Sequence, residues 1–208
     1  MSQQTPPPRR NNDPKTVLED LRKRIRSATN EYAAGHLNAP QFQAIHRHYT
    51  EKRMIVEQLM ERNANSSTWE AAASPGMTGF LKERFEARPL FYVVFRRGEK
   101  RPLRSEGKIQ QSAAEQLYRI LQVYWRVTQW RTGLAQKSLG NGHWLLMVAG
   151  ESAITLVVFM FQPSSLQTQH VRDLHADFER ANARQLQEGA PVTHFVFPQR
   201  SLLQNKPE

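Results

Sequence analysis

Gly150-Glu151-Ser152 lies in the middle of the most apolar stretch of the chain. A Gly-x-Ser-x-Gly run of this kind forms the sharp turn that exposes a serine nucleophile in one large class of hydrolases. Here Ile154 stands where the second glycine would be. The serine also falls between two apolar runs, where that chemistry needs a strand followed by a helix. The triplet therefore reads as a plain turn. The histidines offer no ligand set. His46 and His48 are two apart on an expected helix and face nearly opposite ways, and His170 and His175, five apart, also diverge. His143 and His194 fall in expected strands that a sheet could pair, but a core or surface histidine accounts for each more simply. Asp173 and Asp177 sit one helical turn apart, as a paired-carboxylate site would require. Arg172 and Arg180 beside them make a solvated helix face the simpler account. The chain has no Gly-x-x-x-x-Gly-Lys-Ser/Thr phosphate loop. It has no cysteine, which removes disulfides, thiolate zinc sites and thiol catalysis. These residues imply no catalytic residue, no cofactor and no metal, and hence a protein that is not an enzyme.

The feature that stands out is charge. The formal net charge is +10 and the isoelectric point about 10.3, a balance that favours nucleic acid, anionic lipid or an acidic protein surface as partner. Arg96, Arg97, Lys100, Arg101 and Arg104 are grouped within nine residues, with Arg84 and Arg88 just before them. On a hairpin, such residues could meet phosphates or an acidic protein. They could equally be charges that keep a hairpin end soluble. Arg22-Lys23-Arg24-Ile25-Arg26 forms a second group, read as the polar face of a helix. No reading helix, zinc finger or aromatic stacking pair accompanies either group.

The elements that must position these residues follow from periodicity. Residues 1–12 are Gln, Pro, Arg and Asn in the main, a composition that predicts a disordered tail. They contain no apolar core of a signal peptide, so the cytoplasm is the expected location. Asp13 and Pro14 punctuate a helix start, and Val17, Leu18, Leu21, Ile25 and Ala28 form its apolar stripe. Gly35 stops it. A second helix begins near Pro40, with Phe42, Ile45, Tyr49, Val56 and Leu59 as its stripe. The short connection predicts an antiparallel helical hairpin over 13–62. Residues 63–76 are small and polar and read as a linker.

From Met77 the pattern changes. A short helix precedes Pro89-Leu-Phe-Tyr-Val-Val-Phe-Arg-Arg97, a strand by its aromatic and β-branched content. A turn and a second strand follow, through Ser105. Ser112 and Glu115 form a capping box that opens an expected long helix, reaching Leu139. Residues 142–161, Gly-His-Trp-Leu-Leu-Met-Val-Ala-Gly-Glu-Ser-Ala-Ile-Thr-Leu-Val-Val-Phe-Met-Phe, approach the length of a membrane span. The central Gly-Glu-Ser argues against one, and two strands joined by a tight turn are expected instead. A last helix over about 166–187, a short closing strand in Pro191–Pro198 and a tail over 199–208 complete the reading. The fold class is α+β: an antiparallel five- or six-stranded sheet flanked by helices over 77–198, behind an N-terminal α-helical hairpin.

Two resemblances attach to these residues. The turn Tyr32-x-x-Gly35-x-Leu37-x-x-x-x-Phe42 between amphipathic helices is similar to SHOCT-type helical hairpins. Residues 91–107, the helix entry Ala113-Ala-Glu-Gln-Leu-Tyr-Arg-Ile-Leu-Gln122 and the apolar hairpin from Trp144 resemble the roadblock family, the profilin-like dynein light-chain fold. That resemblance implies a non-enzymatic, cytoplasmic platform that forms homodimers and binds or regulates a small Ras-like GTPase, or scaffolds a larger complex. A basic nucleic-acid-binding protein and a membrane-surface adaptor remain as alternatives that use the arginine cluster. The expected helix 112–139 carries more apolar surface than one sheet face needs. Ile120, Val123, Val127, Trp130 and Leu134, with Trp144 on a neighbouring exposed edge strand, are therefore the candidate dimer interface.

Overall fold

The computed structural model of the chain describes residues 13–62, 76–126 and 131–204. The expected tail over 1–12 and nearly all of the expected linker lie outside the described residues, as do Val127 and Trp130.

The chain divides into two compact units, one holding the chain up to Ala34 and Gln41–Arg84, the other Gly35–Pro40 and everything from Phe85. The first unit contains α1 (Pro14–Ala33), α2 (Ala39–Arg62) from Gln41 onward, and α3 (Thr78–Arg84). Asp13 caps α1 by accepting the Lys15 amide at 3.2 Å, with Pro14 in the first turn. Tyr32 stacks on Phe42 with 4.6 Å between ring centroids, and Arg22 reaches Glu57. Contacts from the end of α1 to the start of α2, and from its first half to the far half of α2, define an antiparallel pair. Val17, Leu18, Leu21 and Ala28 of α1 and Ala44, Ile45, Tyr49 and Val56 of α2 are buried. α3 joins them through polar anchors: Gln41 Nε2 donates to the Lys82 carbonyl, Tyr49 Oη meets Thr78 Oγ1, and Lys82 pairs with Glu31 at 2.6 Å.

The second unit is one antiparallel sheet. Its strands are β1 (Arg88–Arg96), β2 (Pro102–Gly107), β3 (Gly133–Gly140), β4 (His143–Ala149) and β5 (Ala153–Met160), in the order β2-β1-β5-β4-β3. α4 (Gln111–Tyr124) covers one face, and α5 (Ser165–Ala181) with the short α6 (Ala183–Glu188) lies on the other. Central β5 alternates between them. Ile154, Leu156 and Val158 meet Ala113, Leu117 and Leu121 of α4, while Ala153, Val157 and Phe159 meet Val171 and Phe178 of α5. A strand covered on both faces must be apolar throughout, which accounts for residues 153–160. The β4–β5 turn closes with the Gly150 amide donating to the Ala153 carbonyl at 2.9 Å. The apolar stretch is a hairpin, as its central Gly-Glu-Ser predicts.

Three expectations are corrected. The long helix ends at Tyr124 and not near Leu139; residues 133–140 form β3. The strand containing Trp144 is not an edge, since β4 lies between β3 and β5. Residues 191–198 form no strand: Val192–His194 is a 3-10 turn, followed by an extended segment outside the sheet. In addition, the last helix breaks at Asn182, and a second 3-10 turn (Pro198–Arg200) leads into α7 (Ser201–Gln204).

Candidate interaction surface

β3 is a free edge. It pairs with β4 on one side, from Gly133 opposite Ala149 to Gly140 opposite His143, and with no strand among the described residues on the other. Of its eight residues only Leu139 is buried. Residues directly opposite on antiparallel strands share a face. Leu134, opposite Val148, and Ser138, opposite Trp144, therefore lie on the α5 side. Ala135, opposite Met147, and Lys137, opposite Leu145, lie on the α4 side. α4 buries Ala113, Leu117 and Leu121 against the sheet. Ile120 is half-buried against that core, while Val123 is 66 % exposed and Tyr118 56 % exposed. The candidate interface thus divides. Ile120 and Val123 stay together on α4, and Leu134 and Trp144 lie on the opposite face of the sheet. Tyr118 is the residue of this surface that the sequence reading passes over, although it follows the buried Leu117 by one position and so must turn outward.

The arginine cluster divides too. Arg96 pairs with Glu99 at 2.7 Å, and its guanidinium lies 6.0 Å from the Phe195 ring centroid. Arg97 Nη1 donates to the Glu151 carbonyl at 3.0 Å, across to the β4–β5 turn. Arg104 Nε donates to Glu106 at 2.6 Å and lies over Phe197 at 5.4 Å. Arg200 also reaches Glu106, at 3.3 Å. Burial by itself would raise the Glu106 pKa, but Arg104, the Tyr92 hydroxyl and Arg200 outweigh it and hold the carboxyl below its ordinary value. Burial pushes the neighbouring Tyr92 hydroxyl up to about 12. Three of the five cluster residues thus brace the fold, and Lys100 and Arg101 are the exposed pair at the turn.

One polar group lies deep in the α5-side core. Thr155 Oγ1 is 2.9 Å from His175 Nδ1, His175 Nε2 is 3.8 Å from Glu179 Oε1, and Gln199 Nε2 donates to Thr155 at 3.3 Å. A hydroxyl, an imidazole and a carboxylate in a row are the parts of a nucleophilic site. Thr155 is 0 % and His175 3 % exposed, so no substrate reaches them. The carboxylate is occupied with structure: Glu179 accepts the amides of Ser152 and Ala153, each at 2.8 Å, and fastens the β4–β5 turn to α5. Desolvation lowers the His175 pKa, opposed by Glu179. Two sequence signals mark this group: a threonine inside an apolar strand, and a histidine four residues after the buried Val171. His143 is buried at the start of β4, and His194 closes an exposed turn. Asp177 pairs with Arg180 and Asp173 accepts from Gln169, on the solvent face of α5.

Among the described residues no three His, Asp or Glu side chains gather as metal ligands, and no helix is long and apolar enough to cross a membrane. No protein-family model matches the chain, and neither a curated protein nor a solved structure shows significant similarity to it. What the structure defines is an α+β chain: an open five-stranded antiparallel sheet between helices, with an N-terminal helical pair.

Proposed function

We propose that this chain is a non-enzymatic interaction module of the roadblock kind. It acts in the cytoplasm, pairs with a second copy and presents the paired sheets to a small Ras-like GTPase or a larger complex. The observation that carries this reading is the β3 edge, unpaired among the described residues, beside α4, whose outer side shows Tyr118 and Val123 to solvent. An exposed edge strand recruits another strand unless something blocks it, and a two-fold partner would cover edge and helix in one interface. The element order supports the same reading: two strands, one helix, three strands, one helix, in a single antiparallel sheet. The engagement of Arg96, Arg97 and Arg104 within the fold weighs against nucleic acid and against a membrane surface as the main partner.

Light scattering after gel filtration tests the pairing. The wild type should run at twice the 24.1 kDa chain mass, and Val123→Glu at the chain mass. Val123 is exposed in the single chain, so the substitution leaves folding intact and loads its cost on the interface. A wild type at the chain mass across tens of micromolar would overturn the pairing. Titration with purified Ras-like GTPases, loaded with GDP or a GTP analogue, tests the second half. Binding that differs between the two nucleotide states supports it, and no binding to either removes it.

A further inference from the structure

Residues 195–200 are held in an unusual way. Phe195, Phe197 and Gln199 are buried, while Val196 is 60 % exposed and Arg200 is exposed. Over 195–197 this is the period of an extended chain, and Gln199 follows in the 3-10 turn Pro198–Arg200, yet the segment belongs to no sheet. Side chains grip it instead. Asn182 is fully buried at the α5–α6 break. Its Nδ2 donates to the Val196 carbonyl at 2.7 Å, and its Oδ1 accepts the Val196 amide at 2.7 Å. Its second donor hydrogen serves the Phe178 carbonyl at 2.8 Å, so every hydrogen-bonding group of the carboxamide is in use. Phe178 stacks on both buried rings, with centroid distances of 6.2 Å to Phe195 and 5.4 Å to Phe197. Arg96 and Arg104 lie over the same two rings. Gln199 reaches in to Thr155, and its Oε1 is buried with no partner among the described residues. The approach is an exposed tether: α6 ends at left-handed Gly189, and residues 191–194, with the 3-10 turn Val192–His194, are all exposed.

This is how a domain holds a linear peptide: two side-chain pockets, one residue clamped through its backbone N–H and C=O by a carboxamide, and a polar anchor. We infer that the groove formed by Phe178, Asn182, Arg96 and Arg104 is a peptide-recognition site that the chain's own residues 195–200 occupy as an intramolecular ligand. Its ligand class is a short extended stretch with aromatic side chains two residues apart, followed by a tight turn that carries a carboxamide two residues further on, Phe-x-Phe-x-Gln. A partner presenting such a segment takes the groove when the tethered copy lets go. The tether sets the competition, because a linked ligand acts at an effective concentration of about millimolar. The intact chain therefore binds a free peptide poorly, and cutting the tether opens the site.

The test keeps the full chain. A protease site is placed in exposed residues 191–194, and the chain is compared intact and nicked. The probe is a fluorescent peptide with the sequence of residues 193–204, read by anisotropy, with circular dichroism following the fold. The nicked chain should take up the peptide at least about tenfold more tightly than the intact one, in line with the lost effective concentration. It should stay folded and should reject a peptide carrying Phe195→Ala and Phe197→Ala. Three results would overturn the inference: unfolding on nicking, which makes the segment an ordinary part of the core; failure of the nicked chain to take up the label; and equal uptake of the alanine peptide.

Discussion

The Thr155 hydroxyl and the His175 imidazole lie 2.9 Å apart between the central strand and the helix that covers it, both inaccessible to water. Burial disfavours the imidazolium, and the His175 pKa is lowered from its ordinary 6.5. The folded chain therefore takes up this proton at lower pH than the unfolded chain. Between the two pKa values the unfolded chain binds more protons, so stability is full above about pH 6.5 and falls as the pH drops below it. One proton changes stability by at most about 1.4 kcal/mol per pH unit. Urea midpoints between pH 7.5 and pH 5 should show this loss in the wild type and less of it in His175→Gln. Equal pH dependence in both would refute the assignment.

Thr155→Val tests the same contact without a proton. It keeps the shape and leaves His175 Nδ1 and Gln199 Nε2 buried without their acceptor or donor. The expected cost is about 1–3 kcal/mol, the desolvation penalty of such groups. A change below about 0.5 kcal/mol, typical of surface substitutions, would mean that the hydroxyl contributes nothing there.

Arg101 and Arg104 should separate, although both belong to one charged run. Arg104→Ala loses its place over Phe197 and leaves Glu106 to Arg200. A cation–π contact of this kind alone is worth about 0.5–1 kcal/mol. Arg101→Ala exposes nothing and should leave the urea midpoint unchanged. Equal effects of the two would contradict the division of the cluster into bracing and exposed residues.

The central hairpin was legible because its turn residues interrupt an apolar run, and Gly-Glu-Ser cannot sit inside either strand. β3 was not, because Leu134-Ala-Gln-Lys-Ser-Leu139 holds no β-branched residue and reads as helix. Pairing with β4 overrides that propensity. The sequence did carry the correcting signal. Asn141 and Gly142 have φ of 50° and 77°, the two left-handed positions of a two-residue hairpin turn. An Asn-Gly turn entering β4 demands a strand before it. The arginine cluster divides the same way. Glu99 lies three residues after Arg96 and Glu106 two after Arg104, both readable locally. Phe195 and Phe197, which hold the same guanidiniums, come more than ninety positions later, where only the fold brings them near.

The claim that β3 is a pairing edge is tested most directly by hydrogen exchange of its backbone amides across a range of protein concentrations. Amides of 133–140 that β4 does not engage face outward from the sheet. They should exchange slowly at tens of micromolar, speed up on dilution, and exchange fast at every concentration in Val123→Glu. The β5 amides, inside the sheet, should stay protected throughout. Outward β3 amides that exchange fast in the wild type at all concentrations would contradict the pairing.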